Sequence, residues 1–176
     1  MKEFYFIRHG QTDHNASSKI KEDHCPEVSL NAIGKEQAKA IQPLVGQLPI
    51  QTICSSPLKR AQETKEIITE NLKAIPYYTM HELGECTALI WHELSLLKTL
   101  GQPGINARSF IDQVRKGLDQ ILSLPSPTLI VSHGGVHLAL CYLLDIKDHD
   151  WIADNCAIIH FYQINDKDWQ ARKLKL

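Results

Sequence analysis

Residues 4–7, Phe-Tyr-Phe-Ile, form an unbroken apolar run that ends at Arg8-His9-Gly10. A short apolar run that stops at a glycine reads as a buried strand. The polar, aperiodic stretch from Asn15 to Ser29 reads as a loop. Leu30, Ile33, Ala38, Ile41, Leu44 and Val45 then recur at helical spacing, with Pro43 placed to bend or restart the helix end. "IQTICSS" predicts a second strand. Pro57 follows it where proline suits a first helical turn, after Ser55-Ser56 as capping candidates. An amphipathic helix runs on to Leu72, and "IPYYTM" predicts a third strand that leads into "HELGE". Two helices are predicted near 88–100 and 107–122, separated by "GQPGIN". "PTLIVSHGG" reads as a strand that stops at glycines, "VHLALCYLL" as a helix, and "CAIIHFYQI" and "WQARKLKL" as two closing strands.

Alternation of strands and helices implies an α/β fold: a three-layer α/β/α sandwich around a mostly parallel central sheet. We read residues 1–176 as a single domain, since this length suffices for one hydrophobic core. In such sheets ligands bind beyond the carboxyl ends of the strands. The unusual polar residues fall at those ends: Arg8-His9-Gly10, Ser55-Ser56, His81-Glu82 and Ser132-His133-Gly134-Gly135.

Net charge is −1 with histidine neutral, so no bulk attraction to nucleic acid or an anionic membrane is expected, and any anion must be held locally. The five cysteines, at 25, 54, 86, 141 and 156, form no CxxC pair. Their odd number and scatter suit free thiols, small buried hydrophobes in a reducing cytoplasm. Four apolar residues before Arg8 are too few for a signal-peptide core or a membrane span, so a cytoplasmic location is expected.

Arg8, His9, Arg60, Glu82 and His133 could meet at one sheet edge. Two guanidiniums offer planar forks that match phosphate oxygens. A neutral histidine beside cations is a good nucleophile near pH 7, because neighbouring positive charge disfavours its protonation. A glutamate there can protonate a leaving alkoxide and then deprotonate water.

The motifs carry a resemblance. "RHGQTDHN" resembles the R-H-G-x-T-x-x-N signature of the histidine phosphatase superfamily, the phosphoglycerate-mutase-like proteins. "LNAIGKEQA", "SSPLKRAQET", "VSHGG" and "NCAI" resemble further family motifs, in family order and over nearly the whole chain. The resemblance implies that His9 takes the phosphoryl group, and that Arg8, Arg60 and His133 clamp its oxygens. It implies that Glu82, which follows Met80-His81, is the general acid and then base, with Glu85 left as a rim or surface carboxylate. Thr12 and Asn15 match positions that line the pocket. No metal and no organic cofactor is implied. His133 and His137 have a spacing that can hold a metal on a helix, but no H-E-x-x-H pattern accompanies it. Asp148–Asp150 read as a solvated loop, and Trp91, Trp151 and Trp169 as packing residues.

Three stretches depart from the family pattern, and each lies near the expected pocket mouth. Lys21-Glu22 stand where a Gln-Gly pair is common, "GECTALIWHEL" replaces G-x-W-E-G, and Ala107-Arg108-Ser109 replace G-E-S. Lys21, His81 and Arg108 are candidates for extra positive charge at the rim. The insertions that enclose a bisphosphoglycerate in the cofactor-dependent mutases are missing, which suggests an open pocket where water finishes the reaction. The expectation is a phosphomonoesterase acting on small phosphorylated metabolites through a phosphohistidine. A phosphoglycerate-type mutase and a non-catalytic module that holds a phosphorylated ligand are the alternatives.

Overall fold

The computed structural model describes residues 1–16, 27–72 and 74–175. Six strands form one sheet: β1 (Glu3–Arg8), β2 (Thr52–Ser55), β3 (Tyr77–Thr79), β4 (Thr128–Ser132), β5 (Ile158–Gln163) and β6 (Trp169–Lys173). Their order is β3-β2-β4-β1-β5-β6. The first four are mutually parallel, and β5 and β6 add an antiparallel hairpin beside β1. The seven helices among the described residues are α1 (Asp13–Ala16), α2 (Ala32–Val45), α3 (Lys59–Thr69), α4 (Ala88–Ser95), α5 (Leu97–Leu100), α6 (Ile105–Ser123) and α7 (Gly134–Leu143).

Strand alternation divides the core. Phe4 and Phe6 of β1 face one side, where they join Leu94, Val114, Leu140 and Phe161 beneath α4, α6 and α7. Tyr5 and Ile7 face the other, against Ala38, Ile41 and Val45 of α2 and Ala61 and Ile68 of α3. Both sheet faces are therefore covered, which suits the nearly continuous apolar runs of β1 and β4.

Local details differ from the sequence reading. Neither Ser55 nor Ser56 caps α3. The helix begins at Lys59, after Pro57, and Leu58 at its N-cap makes no side-chain cap bond. Ser56 Oγ accepts from Leu58 N at 3.2 Å in a tight turn before the helix. The third strand is only three residues long and exposed, an edge strand. The helix predicted near 88–100 is split at Leu96 into α4 and α5, and Gly101 ends it at φ 72°, a left-handed turn that glycine adopts without strain. Pro43 lies inside the last turn of α2 without ending it. Cys54, Cys86, Cys141 and Cys156 are buried free thiols, while Cys25, Lys21 and Glu22 lie outside the described residues. No described helix is long and apolar enough to cross a membrane.

Candidate active site

The parallel strands β1, β2 and β4 end on the same edge of the sheet, and the polar residues meet there. His9 is anchored through its backbone on both sides: its N–H donates to Ser132 O at 2.9 Å, and Asn155 Nδ2 donates to its carbonyl at 2.8 Å. Cys156 N binds the carbonyl of Arg8 at 2.9 Å. The loop after β1 is braced from two helices. Thr64 Oγ of α3 accepts from Gly10 N at 3.0 Å, and Gln37 Oε1 of α2 accepts from Gln11 N at 2.9 Å. Asn31, which caps α2 by accepting from Gly34 N, donates its own backbone N–H to Gln11 O at 3.0 Å. A Cβ on Gly34 would lie 2.1 Å from Gln11 O, so only glycine allows this approach.

A cavity of about 170 Å³ opens over this loop. Arg8, His9, Arg60 and Glu85 line it, with Thr12, His14 and Asn15 beside them and Val28, Ala88 and Trp91 as an apolar wall. His9 Nδ1 lies 2.7 Å from Gly10 O, an acceptor only, so the ring carries its proton there. Its Nε2 is left with a lone pair, toward which Arg60 Nε donates at 3.3 Å. Arg8 is oriented by a 2.8 Å bond from Nη1 to Ala153 O. Thr12 Oγ and N both donate to Asn15 Oδ1, which closes the turn that opens α1.

His133 lies behind His9, fully buried, with ring centroids 5.1 Å apart. Its Nε2 meets Ser56 Oγ at 2.7 Å. Burial, helped by the neighbouring His9, Arg60 and Arg8, holds this imidazole well below its usual pKa, so it is neutral at neutral pH.

Among the described residues, the carboxylate that lines the pocket is Glu85. The side chain of Glu82 leaves the pocket for the far face. Its Cβ packs on Gly117 of α6, where a glycine Cβ would sit 2.8 Å away, and Gln120 Nε2 reaches its Oε1 at 3.4 Å. The cause is the single 3₁₀ turn at His81–Leu83, which buries Leu83 in the core and turns Glu82 onto α6. Extended backbone at Gly84 then carries Glu85 to the N-terminus of α7. There Glu85 Oε1 accepts from Gly135 N at 3.1 Å and Cys86 N at 3.0 Å. Burial raises its pKa above the ordinary glutamate value, against the Cys86 amide, Arg60, the Cys86 thiol and Arg8, which all lower it. The placement of Glu82 in the pocket, expected from the sequence, is thereby corrected.

Residues 4–176 match the family profile described as the histidine phosphatase superfamily, branch 1. The chain belongs to the histidine phosphatase superfamily. Among similar proteins, the agropine synthesis reductase of Rhizobium rhizogenes is 31% identical over 92% of this chain, which spans only 39% of that longer protein. The metal-independent phosphoserine phosphatase of Arabidopsis thaliana is 27% identical over 87% of this chain and 80% of its own length. The fold is shared with a mycobacterial glucosyl-3-phosphoglycerate phosphatase solved with VO3, at TM-score 0.75 and 19% identity, covering 98% of both chains.

Of the expected superfamily positions, Arg8, His9, Thr12, Asn15 and Arg60 line one cavity, and His133 lies beneath it. Exposed His81 and Arg108 do not line it. His137 points elsewhere: its Nδ1 meets Trp151 O at 2.8 Å, among Phe6, His149 and Phe161. Among the described residues no group of three or more His, Cys, Asp or Glu is placed to hold a metal. The sequence reading missed Ser56, Thr64, Gln37 and Asn155 as supports and His14 as a lining residue. All five lay inside the quoted motifs, Ser56 as a capping candidate and the others as positions without an assigned job.

Proposed function

We propose that this chain is a metal-independent phosphomonoesterase that works through a phosphohistidine at His9 and acts on small phosphorylated metabolites. One observation carries the reading: His9 donates from Nδ1 to Gly10 O, which leaves an unprotonated Nε2 in a pocket that also holds Arg8, Arg60 and Glu85. That nitrogen would attack phosphorus in line with the leaving oxygen. As the N–P bond forms and the P–O bond breaks, Glu85 would deliver its proton to the departing alkoxide. Its raised pKa suits an acid that must be protonated before the first step. Water would then attack the phosphohistidine and give a proton back to Glu85, and the N–P bond electrons would return to Nε2. Arg8, Arg60 and His133 would hold the three equatorial oxygens, whose charge is stabilised by fixed donors. Asn15, with Oδ1 committed to Thr12, would meet the ligand through its Nδ2 donors. The name of the phosphoserine phosphatase relative supports both the hydrolysis and the independence from metal.

The test is phosphate release from a panel of sugar phosphates, nucleotides, phosphoglycerates and phosphoamino acids, with chelator present, for wild type and His9→Ala. Chelator-resistant release by the wild type that vanishes in the variant is expected. Release that persists in His9→Ala would defeat the mechanism, and isomerisation of phosphoglycerate without release would point to the mutase.

A further inference from the structure

We propose that Ser56 is a positioning residue that fixes the proton of His133 on Nδ1, so that this imidazole presents an N–H to a phosphoryl oxygen. The proposal rests on the phosphatase reading and adds a residue to its machinery. Ser56 and His133 are both fully buried. Ser56 is held in place by its own backbone: its N–H donates to Val131 O at 3.0 Å, which ties the end of β2 to β4 just before His133.

A serine hydroxyl has one proton and two lone pairs. One lone pair of Ser56 Oγ accepts from Leu58 N, and His133 Nε2 lies 2.7 Å away. Two proton arrangements are then possible. If Ser56 donates to a bare Nε2, every group of the pair is matched and His133 carries its proton on Nδ1. If instead Nε2–H donates to Oγ, the serine proton is left without an acceptor among the described residues. A buried donor without a partner is disfavoured.

The ligand side selects the same arrangement. His133 Nδ1 is buried and has no partner among the described residues. Its ring stands beside His9, near Arg8 and Arg60. A phosphoryl group arriving there offers only acceptors. A bare Nδ1 lone pair would repel it, and an Nδ1–H would bind it. A neutral imidazole has a single N–H, so which nitrogen holds it decides between the two. His9 holds the same tautomer but turns its other nitrogen to the ligand: Gly10 O keeps the proton on Nδ1, which leaves Nε2 unprotonated to attack phosphorus.

The experiment is a long-range ¹⁵N–¹H correlation spectrum of the histidine rings in folded, ¹⁵N-labelled protein, without ligand and with orthovanadate, paired with kinetics of Ser56→Ala. Expected are the Nδ1–H tautomer for His133 in the wild type, a shift of that proton on adding vanadate, and a mixture of tautomers in the variant. The variant, with its fold checked by thermal unfolding, should lose about tenfold in kcat with little change in KM, since equatorial oxygens gain their charge in the transition state. An Nε2–H tautomer in the wild type would overturn the proposal without needing the variant, and so would an unchanged kcat in Ser56→Ala. If the wild type released no phosphate from any ester, the phosphatase reading itself would fall and take the proposal with it; the assay alone reports that outcome, whatever the spectrum shows.

Discussion

Glu82 and Glu85 are three positions apart, and their surroundings assign them different work. Glu82 sits on the outer side of a 3₁₀ turn, against Gln120 and Gly117. Glu85 is sunk against two backbone amides at the start of α7, in the cavity with His9. Spacing alone could not separate them, because both follow β3 and both precede α4. What decides is that Leu83 between them must be buried, which turns its predecessor away from the cavity. Substitution by glutamine distinguishes their roles. Glu85→Gln should slow hydrolysis of alkyl phosphates by about 10²–10⁴-fold while slowing nitrophenyl phosphate much less, since that leaving group needs little protonation. Glu82→Gln should leave both rates near wild type. Steady-state kinetics on the two ester types checks this, and equal losses on both esters in Glu85→Gln would remove it as the acid.

At the scale of elements, the site depends on helices that contribute no nucleophile. The first turn of α2 grips the loop after β1 through Asn31, Gly34 and Gln37, and α3 reaches the same loop through Thr64. This is why "LNAIGKEQA" and "RAQET" were legible as motifs although neither supplies the attacking atom. Their work is backbone bonding, which a sequence records only as a fixed polar or glycine position. The same limit explains the misread start of α3. Serines before a proline signal a cap, but the hydroxyl of Ser56 is engaged by His133, a partner 77 residues away that no local pattern announces. A methyl on Gly34 tests the brace. Gly34→Ala places a Cβ against backbone atoms of Gln11, at 2.1 Å from O and 2.7 Å from N, so the loop itself must move. A cost of about 1–3 kcal/mol in urea unfolding is expected. Because a shift of about 1 Å at a reacting group can cost roughly 100-fold, kcat should fall by about that factor. Wild-type kcat in this variant would show that α2 does not position His9.

Over the whole molecule, alternating strand and helix patterns sufficed to read an α/β fold with its polar residues at one sheet edge. The order of strands was not legible, because β4 inserts between β1 and β2 through pairings 124 and 76 residues apart, and an apolar run such as residues 128–131 has no sidedness. The covered sheet also buries histidines, and this sets the acid stability of the fold. His137 lies in the core between Phe6 and Phe161, and burial lowers its pKa to about 4, with Trp151 O and Asp150 acting to raise it and His149 and Arg8 to lower it. His133 is held well below its ordinary value, and His149 is lowered too, both chiefly by burial. A depressed histidine is neutral in both states above about pH 6.5. Below that the unfolded chain takes up the proton and the folded chain does not, so stability present at neutral pH is lost as pH falls toward the folded value. For His137 the window runs from 6.5 down to about 4 and the loss is roughly 3 kcal/mol. Glu85, whose pKa is raised, acts in the opposite sense over the carboxylate range, and it is one group against three. Urea unfolding free energies should therefore decline steadily between pH 6.5 and 4. In His137→Gln, which keeps a donor for Trp151 O, the slope should shrink by about one proton. An unchanged slope in that variant would mean that His137 titrates alike in the folded and unfolded chain.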